Sequence, residues 1–238
     1  MRYMGSKARH VKNIIPFIME GHPNDRWYVE PFLGGGNLFS HVSADLKWGN
    51  DTAYYAVALL EALSKGWEPP EVLTELQYYE IKEDPNGYEP ALVGFASYCC
   101  SYAGKFWGGY ARGFSSKGLE RNFASEQCRN LEKQRGGLVG AKFTVGSYLD
   151  MSIPDGSTVY CDPPYVNTTS YQTQFDTQEF WDWCETLVDL DCRVFVSEYE
   201  APQCWTPIWE KEVNNSLTKD TGGKKGVEKL FTMHKVGP

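Results

Sequence analysis

The sequence lacks long hydrophobic runs and metal-binding patterns. No 18 consecutive residues are apolar, so we expect no membrane-spanning helix. Met1–Lys7 is polar and lacks the apolar core of a signal peptide. The seven cysteines and four histidines are scattered without the spacing of a zinc site, so we expect no bound metal. Cysteines in this arrangement are typical of reduced, mostly buried thiols, and we expect an intracellular, cytoplasmic protein.

Positive charge is also scarce overall. The net charge is −8, which by itself argues against a nucleic-acid partner. The basic residues are concentrated, however, because residues 105–142 hold eight of them against three acidic residues. This local surplus predicts one segment that faces a polyanion. The alternative is an ordinary solvated helix face of mixed charge.

The most informative stretch follows a short apolar run. Thr158-Val159-Tyr160 predicts a buried strand, and Asp162-Pro163-Pro164-Tyr165 comes next. The prolines end the sheet ladder, which places Asp162 at the carboxyl end of the strand, where open α/β sheets bind ligands. The carboxylate and a neighbouring carbonyl can each accept one N–H of a planar amine, while Tyr165 stacks on its heterocycle. The alternative is an acidic turn without a function.

A glycine-rich turn follows the first predicted strand, Trp27–Pro31. We expect Gly34-Gly35-Gly36 to let the backbone approach a cofactor, with a helix beginning at Leu38-Phe39. A second strand, Leu46–Asp51, ends in an acid 17 residues past Gly34. A carboxylate at roughly this interval accepts hydrogen bonds from ribose hydroxyls in Rossmann-like units. These residues predict a nucleoside site between two βα units.

The N-terminal arm precedes a predicted helix. Val11, Ile14, Ile15 and Ile18 recur at helical spacing, and Ser6 is the expected cap. Lys7 then lies at a helix start, where the helix dipole disfavours a cation. We interpret this lysine as reaching a ligand, the alternative being an ordinary surface lysine.

Residues 66–139 interrupt the βα alternation. We expect helices near 72–81, 92–99 and 125–134, and a segment at 102–113 in which glycines, aromatic residues and basic residues alternate. Such a segment suits contacts with phosphates and bases, or else a tightly turned packing loop. Beyond it we expect strands at 142–145 and 193–197, a helix at 180–190, and an antiparallel strand at the sheet edge over 227–232.

Taken together, the motifs resemble the D12 class of DNA adenine methylases. The arm Arg2–Lys7, the stretch Glu30–Gly36, Asn50-Asp51 and Asp162–Tyr165 occur in the family's order over nearly the whole chain. The resemblance implies an α/β fold, a Rossmann-like S-adenosylmethionine-dependent methyltransferase sheet with helices on both faces. Residues 1–65 and 140–238 would form this catalytic domain. Residues 66–139 would form an inserted, mostly helical target-recognition region.

The resemblance also implies the ligands and the site. The cofactor would be S-adenosylmethionine and the partner double-stranded DNA; we expect a monomer or weak dimer. The catalytic residues would be Asp162, Pro163, Pro164 and Tyr165. The residues in contact with the cofactor would be Tyr3, Lys7, Glu30, Phe32, Gly34, Gly35, Gly36, Asp51, Ser147, Tyr148 and Asp162. The local charge and the alternating glycines assign DNA contacts to Lys105, Arg112, Lys117 and Arg121. The family has an acid beside an aromatic residue before the catalytic strand, whereas this chain has Gly146-Ser147-Tyr148, which leaves the contact with the cofactor's adenine open.

The expected reaction is site-specific methyl transfer to N6 of an adenine flipped out of the duplex, without a covalent enzyme intermediate. Cys161 invites a cytosine-C5 mechanism, but we interpret it as core packing because it belongs to a strand. One alternative is an enzyme that methylates cytosine N4 or a protein amide. Another is an inactive relative that only binds DNA, and a nicotinamide oxidoreductase is a distant third. The recognition sequence and a restriction partner, as in restriction–modification systems, stay open.

Overall fold

Seven strands form one mixed sheet at the centre of the molecule. The computed structural model describes residues 1–164, 175–214 and 225–233. The strands are β1 (Trp27–Glu30), β2 (Leu46–Asp51), β3 (Lys142–Val145), β4 (Thr158–Cys161), β5 (Arg193–Glu198), β6 (Thr206–Asn214) and β7 (Lys225–Thr232). Their order across the sheet is β3-β2-β1-β4-β5-β7-β6. The first five in this order run parallel, and β7 is antiparallel to both of its neighbours.

The central parallel strands are covered on both faces. All four residues of β4 are buried, as expected for a parallel strand between two layers of helices. The helices are α1 (Val11–Met19), α2 (Tyr54–Ser64), α3 (Glu75–Glu83), α4 (Pro90–Gly94), α5 (Phe123–Arg135) and α6 (Thr177–Asp189). None of the described helices is long and apolar enough to cross a membrane. The α/β fold with helices on both faces is therefore confirmed.

Two apolar clusters lie on opposite sides of the sheet. One contains Tyr28 and Leu60 together with residues from the inserted region, such as Tyr78, Phe95 and Leu131. The other is built on α6 and on residues of the central strands that face it. Helices α3 to α5, which lie within residues 66–139, thus pack onto the same core as α1 and α2. Burial of apolar side chains therefore positions these helices against the sheet.

Two expectations about secondary structure are wrong. The helix expected to begin at Leu38-Phe39 is only a single 3₁₀ turn, Phe39–His41. The buried ammonium of Lys47 accounts for this, because it donates to the carbonyls of Phe39 (2.7 Å) and Val42 (3.1 Å), which a continuing helix would use itself.

The strand expected at the sheet edge is the second error. β7 is antiparallel as predicted, but it lies between β5 and β6, and β6 forms the edge. The sequence of β6 carries Pro207 near its start and three consecutive charged residues, Glu210-Lys211-Glu212. Both features are typical of an edge strand and protect it against further pairing.

Candidate active site

Three adjacent parallel strands, β2, β1 and β4, end at the same edge of the sheet. Glu30 of β1 pairs with Gly49 of β2, and Val29 pairs with Val159 of β4, so the segments that follow these strands leave side by side. This edge carries Asp51, the glycine turn and Asp162-Pro163-Pro164. The structure therefore brings together the three motifs singled out in the sequence. Tyr165 lies outside the described residues.

Lys7 contacts the carboxylate of Asp162. Its Nζ lies 2.9 Å from Oδ1 of Asp162 and 3.2 Å from Oε1 of Glu228. Burial alone would lower the pKa of Lys7, but the two carboxylates outweigh this effect and raise the pKa overall. Lys7 is therefore a buried cation at neutral pH and not a surface lysine.

A short 3₁₀ turn, Lys7–Arg9, places the lysine. Ser6 caps this turn, because its Oγ accepts a hydrogen bond from the backbone N–H of Ala8 at 3.2 Å. The expected cap is therefore present, although it does not cap α1 directly. The N-cap position of α1 is occupied by His10, whose side chain makes no capping hydrogen bond.

Asp51 organises the glycine turn. Its Oδ2 accepts the backbone N–H of Gly34 at 2.7 Å, and its Oδ1 accepts that of Ala53 at 2.9 Å. Burial raises the pKa of Asp51 above its usual value, while these backbone donors oppose the shift. The carboxylate thus joins the end of β2 to the turn after β1, which fixes the position of a group that could meet a ribose.

The glycines of the turn make room for Tyr3. A Cβ added at Gly35 would lie 2.7 Å from the Cβ of Tyr3, and one added at Gly34 would lie 3.0 Å from its ring. Gly34 also has a positive φ of +50°. The ring of Tyr3 stacks on Tyr98 of the insertion at 5.1 Å between centroids. The N-terminal arm is therefore held between the glycine turn and the inserted region.

Aromatic side chains form one wall beside the turn. Phe32 lies 5.1 Å from Tyr148 between ring centroids, and both contact Phe175 and Phe180. Tyr148 is buried within this cluster. Ser147, its neighbour, accepts the backbone N–H of Leu149. Phe32 and Tyr148, which were both expected to contact the cofactor, thus belong to one aromatic cluster.

Glu30 lies in the core behind the edge. Its carboxyl group is 2% exposed and accepts a hydrogen bond from the hydroxyl of Tyr28 at 2.6 Å. Burial raises the pKa of Glu30 to about 8, although the hydrogen bond from Tyr28 and the charge of Lys47 act in the opposite direction. The structure therefore places Glu30 beneath the site, where it supports the strand end that carries the glycine turn.

The four basic residues expected to contact DNA are all exposed. Two of them are paired with acids of the insertion: Arg112 with Glu75, and Arg121 with Glu126. Lys105 lies in the loop closed by the isolated bridge between Ser101 and Tyr110, and Lys117 lies in the loop closed by the bridge between Phe114 and Glu120. This segment also exposes large apolar side chains, with Phe114 at 73% and Tyr102 at 67%. It therefore combines accessible charge with accessible aromatic rings.

Known proteins resemble the chain over its motifs. Residues 3–91 match a family described as D12 class N6 adenine-specific DNA methyltransferase. The chain is 25% identical over 260 aligned residues to DNA adenine methylase from Escherichia coli K12, covering 90% of this chain and 88% of that protein. DNA adenine methylase from Salmonella typhi is similar to the same extent, 25% over 259 residues with the same coverage. The chain is therefore distantly similar to DNA adenine methylases over most of its length, and the D12 class match covers residues 3–91.

Residues 3–91 contain most of the arm, the glycine turn and Asp51, and the alignments with the two methylases cover most of the chain. A solved structure of SMU.472 complexed with SAH matches with a TM-score of 0.37 and 11% identity. That match covers 96% of this chain and 54% of the other, so the chain spans about half the length of that structure.

Sequence reasoning missed two acidic residues near Asp162. Glu228 of β7 is 5% exposed and contacts Lys7, and Glu198 lies at the end of β5. A signal for Glu228 was present, because alternate residues of a strand share one face and Leu230 belongs to the core. The only sequence signal for Glu198 is that it follows the apolar run of β5. Asp162 has the corresponding place after β4.

Proposed function

We propose that this chain transfers a methyl group from S-adenosylmethionine to N6 of an adenine at a specific site in double-stranded DNA. The observation that carries the proposal is the position of Asp162, which is followed by Pro163 and Pro164 at the sheet edge beside the glycine turn. The homology to DNA adenine methylases supports it. We place this activity in the cytoplasm, where the DNA is accessible.

The residues around the glycine turn fit S-adenosylmethionine. Each carboxylate oxygen of Asp51 accepts one backbone N–H and retains capacity for a second hydrogen bond, as ribose hydroxyls require. Phe32, which is partly buried and backed by Tyr148, offers an aromatic face to a heterocycle. The carboxylates of Asp162 and Glu228 exceed the single positive charge of Lys7, which suits a cationic ligand. When bound, the cofactor supplies an electrophilic methyl group on a positively charged sulfur.

The chemistry at the amine follows from Asp162 and Pro163. The exocyclic nitrogen of adenine is a poor nucleophile because its lone pair is conjugated with the ring. The carboxylate of Asp162 and the carbonyl of Pro163 would each accept a hydrogen bond from one N6–H, which favours a pyramidal nitrogen with an available lone pair. The same acceptors stabilise the positive charge that develops on the nitrogen during the attack. Lys7 fixes the orientation of the carboxylate, since it bonds Oδ1 at 2.9 Å.

The target base has to leave the duplex to reach this edge. We assign the DNA contacts to the exposed basic residues of the insertion, with Tyr165 stacking on the extruded base at roughly 1–3 kcal/mol. Arg112 would exchange its partner Glu75 for the DNA, because an exposed ion pair contributes only about 0–1 kcal/mol. Arg121 would do the same with Glu126.

Substitution of Asp162 tests the proposal. We expect Asp162→Asn to lower the single-turnover rate of methyl transfer by roughly a hundredfold or more, because a charged acceptor of the reacting amine is lost. The fold should survive, since Lys7 keeps Glu228 as a partner at 3.2 Å. Asp150→Asn, an exposed acid after β3, is the matched control. Near-normal turnover of Asp162→Asn with an unchanged melting curve would remove Asp162 from the reaction.

The product distinguishes the alternatives. Plasmid DNA incubated with the protein and S-adenosylmethionine would be digested to nucleosides and analysed by mass spectrometry. N6-methyladenine is the expected product, and single-base sequencing would give the recognition site. N4-methylcytosine would redirect the proposal to the other amine. Cofactor binding without any methylated base would show an inactive DNA-binding relative. Cys161 is fully buried, which disfavours a thiolate mechanism at cytosine C5.

A further inference from the structure

Glu228 places a second carboxylate on the lysine that holds Asp162. Its Oε1 lies 3.2 Å from Nζ of Lys7, while the same Nζ lies 2.9 Å from Asp162. The side chains of Lys7 and Glu228 are each 7% exposed. Glu228 comes from β7, which is separated from β4 by β5. One buried ammonium group therefore serves two carboxylates, of which only Asp162 faces the proposed reaction.

Two further titratable side chains, His10 and Glu198, lie next to this cluster. His10 lies 3.8 Å from Glu228, but burial lowers the pKa of its imidazole, so His10 is neutral near pH 7. Burial, and next the charge of Asp162, raise the pKa of Glu198 to about 8, so this acid is mostly protonated. The geometry therefore places two carboxylates, Asp162 and Glu228, against the single ammonium group of Lys7.

We propose that Glu228 is a positioning residue that keeps Lys7 shared between two carboxylates, so that Asp162 retains a negative potential toward a cationic reaction centre. This inference rests on the proposed function. If Lys7 paired with Asp162 alone, it would neutralise that carboxylate. The positive charge that develops at the reaction centre would then meet a neutral ion pair. Because Lys7 also pairs with Glu228, its one positive charge does not cancel the negative charges of both carboxylates. In a site that contains little water, this excess of negative charge is only weakly screened.

The isosteric variant Glu228→Gln removes the charge and keeps the size of the side chain. We expect kcat to fall roughly tenfold, which corresponds to about 1.4 kcal/mol of lost electrostatic stabilisation of the transition state. The KM for DNA should not change, because the side chain of Glu228 is buried. The control is Glu210→Gln, an exposed acid on the neighbouring strand β6. Equal kcat values for the two variants would overturn the inference.

Cofactor affinity gives a readout that does not depend on turnover. S-adenosylmethionine carries a positive sulfonium, whereas S-adenosylhomocysteine has a neutral sulfur. In Glu228→Gln the preference for the sulfonium form over the neutral one should fall roughly threefold to tenfold, and in Glu210→Gln it should stay as in the wild type. An equal loss of affinity for both ligands, together with a lower Tm, would show that Glu228 only supports the fold and would refute the inference.

A double-mutant cycle tests whether Glu228 acts through Lys7. In a Lys7→Gln background, Glu228→Gln should cause no further loss in the ligand preference. A full additional loss would contradict the inference. The proposed function can fail separately: the wild type would then bind both cofactor forms and leave DNA unmethylated. The ligand preference of the variants would still decide the role of Glu228.

Discussion

Gly104 gives a sharp test of how the insertion is joined to the candidate site. This residue has a positive φ of +70°, and a Cβ added to it would lie 2.8 Å from the backbone nitrogen of Tyr3. Its carbonyl accepts the backbone N–H of Met4 at 3.1 Å. The N-terminal arm thus lies directly against the loop that precedes the proposed DNA-reading segment. A methyl group at this position has to displace the arm.

Gly140 provides the matched control. It has nearly the same φ, +76°, but a Cβ added there would meet no atom within 4 Å. Both Gly→Ala changes carry the conformational cost of a positive φ, about 1–2 kcal/mol. Only Gly104→Ala adds the cost of overpacking, typically 1–3 kcal/mol. We expect Gly104→Ala to unfold at a lower temperature than Gly140→Ala.

The displaced arm should also weaken cofactor binding, because it carries Tyr3 and Lys7. If moving the arm relieves the overpacking of about 1–3 kcal/mol, returning the arm to its place for cofactor binding costs a similar amount, roughly fivefold to 150-fold in Kd. Calorimetric titration of both variants with S-adenosylmethionine measures the difference. Identical affinities and identical Tm values for the two variants would refute the reasoning that the insertion, the arm and the glycine turn act as one unit.

Three further predictions concern single residues. Asp51→Ala should weaken S-adenosylmethionine binding about tenfold or more, since a charged hydrogen-bond acceptor contributes roughly 1.5–3 kcal/mol. The affinity for DNA should stay unchanged, and calorimetry with both ligands checks this. Lys117→Ala should weaken binding to all DNA sequences and reduce the slope of log affinity against log salt concentration by about 1. Arg112→Ala should weaken binding at the cognate site by roughly 1–3 kcal/mol and relax the choice of one base. An equal effect of Arg112→Ala on cognate and scrambled duplexes would contradict its role in base recognition. Burial raises the pKa of Glu30 to about 8, so the folded protein binds this proton more tightly than the unfolded chain and loses stability as the pH rises from about 5 to 8. Glu30→Gln should lessen that loss by up to roughly 1.4 kcal/mol per pH unit in urea unfolding curves, and parallel curves for both proteins would refute the assignment.

The amino-acid sequence by itself determined the elements that carry the site. Apolar runs predicted β1, β2 and β4, and the residues that end them are the glycine turn, Asp51 and Asp162. These predictions succeeded because strand formation and chain breaks depend on neighbouring residues. Parallel strands then gather their carboxyl ends at one edge, so the three motifs had to meet once the βα pattern was recognised.

Only the tertiary structure decided which side chains complete the site. Tyr3 fills the space above the glycines, Lys47 stops the helix expected at Leu38, and Glu228 shares Lys7 with Asp162. Each of these contacts joins residues from separate elements. Residues so far apart in the chain meet because of strand order and core packing. Local periodicity contains no information about that order, which is why the partners of Lys7 could not be read from the residues around it.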